Sequence, residues 1–334
     1  MTNFDDLKLA VEALSGGKNT VRLDDLGMPS VVVPFPRLNY ADVLTGGAQI
    51  PLPAFVVDGQ TKDVIHVSKY HNIIVNDRAY SLPFRDPGHS MNFDRALTVS
   101  RNKGAGWHLM TNALWAAIAL WCRHNKTLPR GNNNYGQDID AAHEKSVPSA
   151  ARDTSNRITR TATGSGPAAW NHNWSEDGIA DLNGNVWDWV AGMRLNDGEI
   201  NIIVDGNAMK HNCNMSATST EWRAIMPDGT LVNPGTAGTL KYTQTSVGFA
   251  TVTTTPAATG GAALLHALGL LPPTGATAAE LGNDHFWATL TGERLPIRGG
   301  GWNGAANAGV FALNLGYARS SVNTSIGFRA AFCE

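Results

Sequence analysis

Hydrophobic and polar positions alternate most clearly at the end of the chain, in the stretch Arg298 to Glu334. Within Val310 to Leu315, the residues Phe311, Leu313 and Leu315 fall on one side of a period-two pattern, and Ile326, Phe328, Ala330 and Phe332 repeat it. Both segments are predicted as half-buried strands. Small polar positions lie between and before them: Gly301, Asn303, Gly304, Asn307, Gly316, Tyr317, Ser321, Asn323 and Ser325. These residue types suit turns and exposed surface, and Asn, Ser, Gly and Tyr are also the residues in which adaptable binding loops are rich. The stretch reads either as a binding surface on a rigid frame or as a Gly-rich hairpin that closes a fold.

Upstream, residues 3–15 carry Phe4, Leu7, Val11 and Leu14 on one helical face, with Asp5 and Asp6 suited to the first turn and Ser15-Gly16-Gly17 as a stop. This predicts a short N-terminal helix, an appendage to the rest. From Val31 onward apolar runs of about five residues alternate with Pro and Gly turn signals, which predicts strands. Two further helices are expected, Ser90 to Lys103 and Thr111 to Asn125. In the second, Leu114, Trp115, Ile118, Trp121 and Cys122 follow the spacing of a buried face and Thr111 suits the N-cap, so this is a core helix. Residues 127–170 are turn-rich and predict a surface excursion. Asn183-Gly184 predicts a tight turn before Trp187 and Trp189, Pro227-Asp228-Gly229 turns the chain between two apolar runs, and a short helix is expected near Ala262 to Leu270. There is no fixed-period repeat, which excludes solenoids and propellers.

Composition narrows the class. The 334 residues are 43% hydrophobic and 16% charged, with 35 glycines, which favours a compact, loop-rich fold. A net charge of -2 leaves no electrostatic footprint for nucleic acid. No apolar run approaches the roughly 18 residues of a membrane span, and the acidic N-terminus lacks the basic region of a signal peptide. Membrane insertion is therefore not expected. Cys122, Cys213 and Cys333 are too scattered for a disulfide framework and read as free thiols. Phosphate-loop, nucleophile-elbow and zinc-protease motifs are absent. Gly164-Ser165-Gly166 is only a fragment of a dinucleotide fingerprint, and His66 and His71 are expected on opposite faces of one strand. One candidate for ion chemistry remains in GNVWDW, where Asn185, Val186 and Asp188 could offer side-chain and backbone oxygens to a structural calcium. The alternative is that Asp188 accepts a buried hydrogen bond or pairs with an arginine.

Three segments in fixed order carry a family resemblance. KDVIHVSKYHN with WHLMTNALWAAIALW, then GIADLNGNVWDWV, then RGGGW with ARS and IGFRAAF resemble the formylglycine-generating-enzyme, or sulfatase-modifying, branch of the C-type lectin fold. The resemblance implies an α+β, loop-rich domain over residues 41–334, with an inserted hairpin and helix region near 199–285 and a variable region near 298–334. Residues 1–40 would be an N-terminal helix and lead-in segment, a candidate assembly element. Oxidases of that branch hold copper with two cysteines shortly after R-G-G-x-W, yet Asn303 to Leu315 contains none here, so no enzymatic activity and no required cofactor are expected.

The last stretch more closely resembles the variable proteins of diversity-generating retroelements, phage tropism determinants among them. In that group adenines in the gene's 3′ end are mutated during reverse transcription. Carried over, the diversified, ligand-binding sites would be Gly301, Asn303, Gly304, Asn307, Gly316, Tyr317, Ser321, Val322, Asn323 and Ser325. The frame would be Trp302, Phe311, Leu313, Leu315, Arg319, Ile326, Phe328 and Arg329. The implied function is hypervariable binding of a protein or other surface-receptor ligand, displayed at a phage tail tip or a bacterial cell surface, with a homo-oligomer or attachment to a virion component. The competing readings are an oxidase homologue, disfavoured by the missing cysteine pair, and a structural virion or adhesin protein. Calcium-dependent sugar binding of the lectin kind is not expected, because E-P-N and Q-P-D tripeptides are absent.

Overall fold

The computed structural model describes residues 3–334 and is a mixed α+β, sheet-rich fold with few helices. Two sheets organise it. The first has five strands in the spatial order Thr20–Leu23, Pro29–Pro36, Val64–Ser68, Ala330–Phe332 and Trp107–Leu109, each antiparallel to its neighbours. The second has ten strands. Its main path runs from Leu231–Val232 through Arg223–Ile225, Glu199–Ile202, Met193–Asn196, Glu293–Gly299, Gly309–Tyr317 and His285–Ala288 to Ser246–Gly248, and Trp187–Trp189 with Ile326–Phe328 branch from it.

The helix Asn112–Asn125 ties the fold together. Thr111 caps it by accepting from the Leu114 amide at 3.1 Å, and Leu114, Trp115, Ile118 and Leu120 are all buried. Trp115 satisfies its buried indole N–H by donating to the Val310 carbonyl at 2.8 Å, which fixes the helix to the strand Gly309–Tyr317. The expected helix at Ser90 to Lys103 is shorter, Phe93–Arg101, because Asn92 caps it and Ser90 has a left-handed φ of 56°. The short apolar helix spans Ala262–Ala267, and the Pro227-Asp228-Gly229 turn joins Arg223–Ile225 to Leu231–Val232.

Several expectations need correction. The strand Gly309–Tyr317 is not half-buried: Val310 and Ala312 are covered as fully as Phe311 and Leu313, so over this span both faces of the strand are packed. Ile326 to Phe332 is not one strand. It breaks at Arg329, and the two pieces, Ile326–Phe328 and Ala330–Phe332, join different sheets. The lead-in before residue 40 is not separate either, since Thr20–Leu23 and Pro29–Pro36 are integral strands. Only the helix Asn3–Leu14 stands outside the sheets, with Leu9 and Leu14 exposed at 64% and 91%. His66 lies on Val64–Ser68, but the chain turns before His71, which is buried outside that strand.

The segment 199–285 is woven into the second sheet on both sides of Gly309–Tyr317. Residues 127–170 are less of an excursion than their polarity suggests. Asn132, Asn133 and Asp138 are buried, with the Asp138 carboxylate accepting from the Gly131 amide at 2.9 Å and the Asn132 side chain from the Gly136 amide at 2.6 Å. Side-chain amides and carboxylates do here the work that strand ladders do elsewhere.

Candidate functional site

Frame and variable positions separate along the last stretch. Phe311, Leu313, Leu315, Ile326, Phe328 and Arg329 are at most 1% exposed. Asn303, Asn307, Val322 and Asn323 are exposed, and Gly316, Tyr317, Ser321 and Ser325 are half-buried. Two positions depart from the expected surface set. Gly301 is buried because Trp187 lies over it, although an added Cβ would meet that ring at an ordinary 3.4 Å. Gly304 is half-buried, and a Cβ there would come within 2.8 Å of the Ala308 Cβ, so a side chain requires the loop to shift.

The loops are held by groups far away in sequence. Trp302, expected as frame, is only half-buried, and its backbone is clamped from both sides: its amide donates to the Asn185 carbonyl at 3.1 Å and its carbonyl accepts from Tyr135 at 2.7 Å. The Ala305 amide donates to the Asn133 carbonyl at 2.8 Å, so the asparagine-rich segment supports the loop 301–307. Arg319 anchors the second loop. Its guanidinium contacts Glu293 at 2.9 Å and Asp94 at 2.7 Å and donates to the Met215 carbonyl at 2.9 Å. The Ser90 amide donates to the Asn323 carbonyl at 3.1 Å.

Two buried arginines set the base of the site. Arg298 donates to the Asn112 side-chain oxygen at 2.7 and 3.0 Å and to the Gly269 carbonyl at 2.9 Å. Burial pushes its guanidinium down to about 10. Arg329 donates to the carbonyls of Ser68, Lys69 and Ala180 at 2.8 to 3.0 Å, and these contacts draw the chain out of one sheet and into the other.

The residues of the calcium candidate have these neighbours in the fold. The Asp188 carboxylate, fully buried, faces His71 at 3.2 Å and Arg329 at 3.6 Å, while the Asn185 side chain exchanges hydrogen bonds with the backbone of Thr161 at 2.9 and 3.0 Å. The Asn185 oxygen is thus held by the Thr161 amide, and the Asp188 carboxylate lies beside the Arg329 guanidinium, the arrangement of the alternative reading. Among the described residues no group of three or more His, Cys, Asp or Glu could hold a metal ion.

Around Trp187 the structure assembles a patch that includes residues outside the expected set. The Trp187 amide donates to the Ser325 carbonyl at 2.8 Å, and its ring packs edge-on against Trp287 with centroids 5.7 Å apart. Trp287 meets His285 at 4.5 Å and pairs in register with Asn314, whose side-chain oxygen accepts from the Gly316 amide at 2.8 Å. His285 in turn is 2.9 Å from the Ser246 hydroxyl, and burial holds its imidazole below the ordinary histidine range. Gly301, Gly316 and Ser325 are thereby gathered round one aromatic strip, and no ring contact or side-chain hydrogen bond draws Asn307 or Val322 into it. Trp287 and His285 had a signal in the sequence. HFWA alternates, with Phe286 and Ala288 buried and the other two half-exposed, so an outward tryptophan could be read from period two.

No family model and no curated protein matches the chain. Solved structures do. It is similar to the Major Tropism Determinant U1 Variant at 13% identity, covering 94% of this chain and 71% of that one with a TM-score of 0.33. The P3c Variant of the same determinant gives 12%, the same coverage and a TM-score of 0.34. Treponema denticola variable protein 1 gives 10% identity over 94% of this chain and 98% of that one, with a TM-score of 0.35. Among the described residues no helix is long and apolar enough to cross a membrane.

Proposed function

We propose that this protein is a hypervariable ligand-binding protein of the retroelement-diversified kind, built on a C-type lectin-like fold, with its site formed by the loops of residues 301–307 and 316–325. The observation that carries the proposal is the division within one short stretch: frame residues such as Phe311 and Phe328 are buried, while Asn303, Asn307, Val322 and Asn323 reach solvent. Diversity is tolerable only at positions of the second kind. Surface substitutions change stability by less than about 0.5 kcal/mol, whereas truncations in a core cost about 2 to 5. A frame pinned at Arg298, Arg319 and Arg329 also limits the ordering entropy lost on binding.

Binding, not oxidation, is the role the chemistry favours. No cysteine lies between Asn303 and Leu315, where oxidases of the resembled branch carry their copper-binding pair, and the buried thiols of Cys122, Cys213 and Cys333 are raised above the ordinary range. The proposal includes no calcium at Asn185, Val186 and Asp188. It places the protein on a virion or cell surface, with the exposed leucines of the helix Asn3–Leu14 as an assembly contact. The deciding experiment is sequencing. The DNA beside the gene should encode a reverse transcriptase and a near-copy of the 3′ end differing at adenines, and a population should vary at the named codons. Substitutions spread evenly over the gene, with no such copy nearby, would sink the proposal.

A further inference from the structure

Trp187, Trp287 and His285 stay the same whichever residues occupy the variable positions, because all three lie before Arg298 in sequence. All three sit on strands, Trp187 on Trp187–Trp189 and the others on His285–Ala288, and all three are half-exposed. Their rings form a continuous edge, with centroids 4.5 Å apart from His285 to Trp287 and 5.7 Å from Trp287 to Trp187. Side chains with neutral hydrogen-bonding groups border it: the Ser246 hydroxyl, and the amides of Asn303 and Asn314.

The charge of the neighbourhood is the second observation. From Gly299 to Phe328 the chain carries one charged residue, Arg319, and that guanidinium is turned inward to Glu293 and Asp94. Arg160, which reaches the Thr324 carbonyl at 3.3 Å, is likewise paired, with Asp86 at 3.1 Å, so these loops offer little to steer an acidic or basic partner. What they do offer is the apolar surface of two indoles, with its electron-rich faces, beside uncharged donors and acceptors. A ring that presents C–H groups on one side and hydroxyls around its rim satisfies both.

We propose that Trp187, Trp287 and His285 form a constant subsite for a neutral saccharide, independent of calcium, to which the variable loops add selectivity. The proposal rests on the binding function above and gives it a ligand class. Aromatic anchors on rigid strands supply contact area at little entropic cost, and the surrounding positions can then change without loss of the common foothold.

An array carrying both neutral and acidic glycans, probed with the full chain in the presence of a calcium chelator, tests this. Retention is expected on neutral glycans alone. A bound neutral oligosaccharide is expected to shield tryptophan emission from acrylamide quenching. Trp287→Ala should weaken binding at least about tenfold, and Trp287→Tyr should keep most of it. If Trp287→Ala does not fold, the quenching of the unaltered protein decides: shielding supports the subsite and its absence overturns it. Equal binding of acidic glycans, no binding of any neutral glycan, or full binding by folded Trp287→Ala also overturns it. Tight binding of a protein receptor without any glycan would end this inference while leaving the variable-protein function standing. Codons that do not vary would end the latter without touching the glycan result.

Discussion

At Arg319 a single side chain holds a loop that is otherwise made of small polar residues. Its partner Glu293 is raised by burial, but the hydrogen bonds from Arg319 and Arg194 outweigh that effect and hold its carboxyl below the usual range. An acid held down in the folded state adds stability above its unfolded pKa, and that stability is lost as pH falls through the folded pKa. Arg319→Met should therefore cost about 1.5 to 3 kcal/mol at neutral pH and flatten part of the loss on the acid side. Urea melts at pH 7 and pH 3 read both effects. Asp284 works in the opposite direction. Burial pushes its carboxyl up to about 8 against the pull of the Phe311 amide, which donates to it at 2.6 Å. A raised acid contributes stability that is whole below the unfolded pKa and is lost as pH rises through the folded value. The melting temperature should decline between pH 4 and about 8, and Asp284→Asn, whose remaining oxygen can still accept from Phe311, should remove that slope.

At the scale of elements, the strand Gly309–Tyr317 shows where diversity can and cannot go. Phe311→Ala is expected to cost about 3 to 5 kcal/mol. Asn303→Ala and Val322→Ala should each stay within about 0.5 kcal/mol, by the same denaturant measurement. A large loss at either exposed position would remove it from the tolerant set. The helix Asn112–Asn125 was legible because cap and apolar spacing are local signals, and the buried half of the frame was legible because Phe311, Leu313 and Leu315 keep period two. The break at Arg329 was not. Period two runs unbroken through Ile326, Phe328, Ala330 and Phe332, and the carbonyls that capture the guanidinium belong to Ser68, Lys69 and Ala180. The asparagine-rich segment misled for another reason: amide side chains look like solvent-facing residues in sequence, yet Asn132 and Asn133 are buried as internal braces. Gly301 and Gly304 show the same limit, since their neighbours Trp187 and Ala308 are set by the fold.

For the molecule as a whole, the helix Asn3–Leu14 is the element whose removal the sheets should tolerate. A chain beginning at Lys18 is expected to melt within a few degrees of the full chain, while light scattering reports a smaller particle if the helix mediates assembly. An unchanged particle would discard that role. The strand Ala330–Phe332 has a different standing. It follows the variable stretch in sequence and fills the slot between Val64–Ser68 and Trp107–Leu109. A chain cut short anywhere within the variable stretch therefore lacks its keystone, and the strands on either side of the slot are left with open edges prone to association. Mutagenesis that creates a stop codon would yield insoluble or degraded material, never a displayed protein with half a site. Folding itself acts as proofreader of the diversified message.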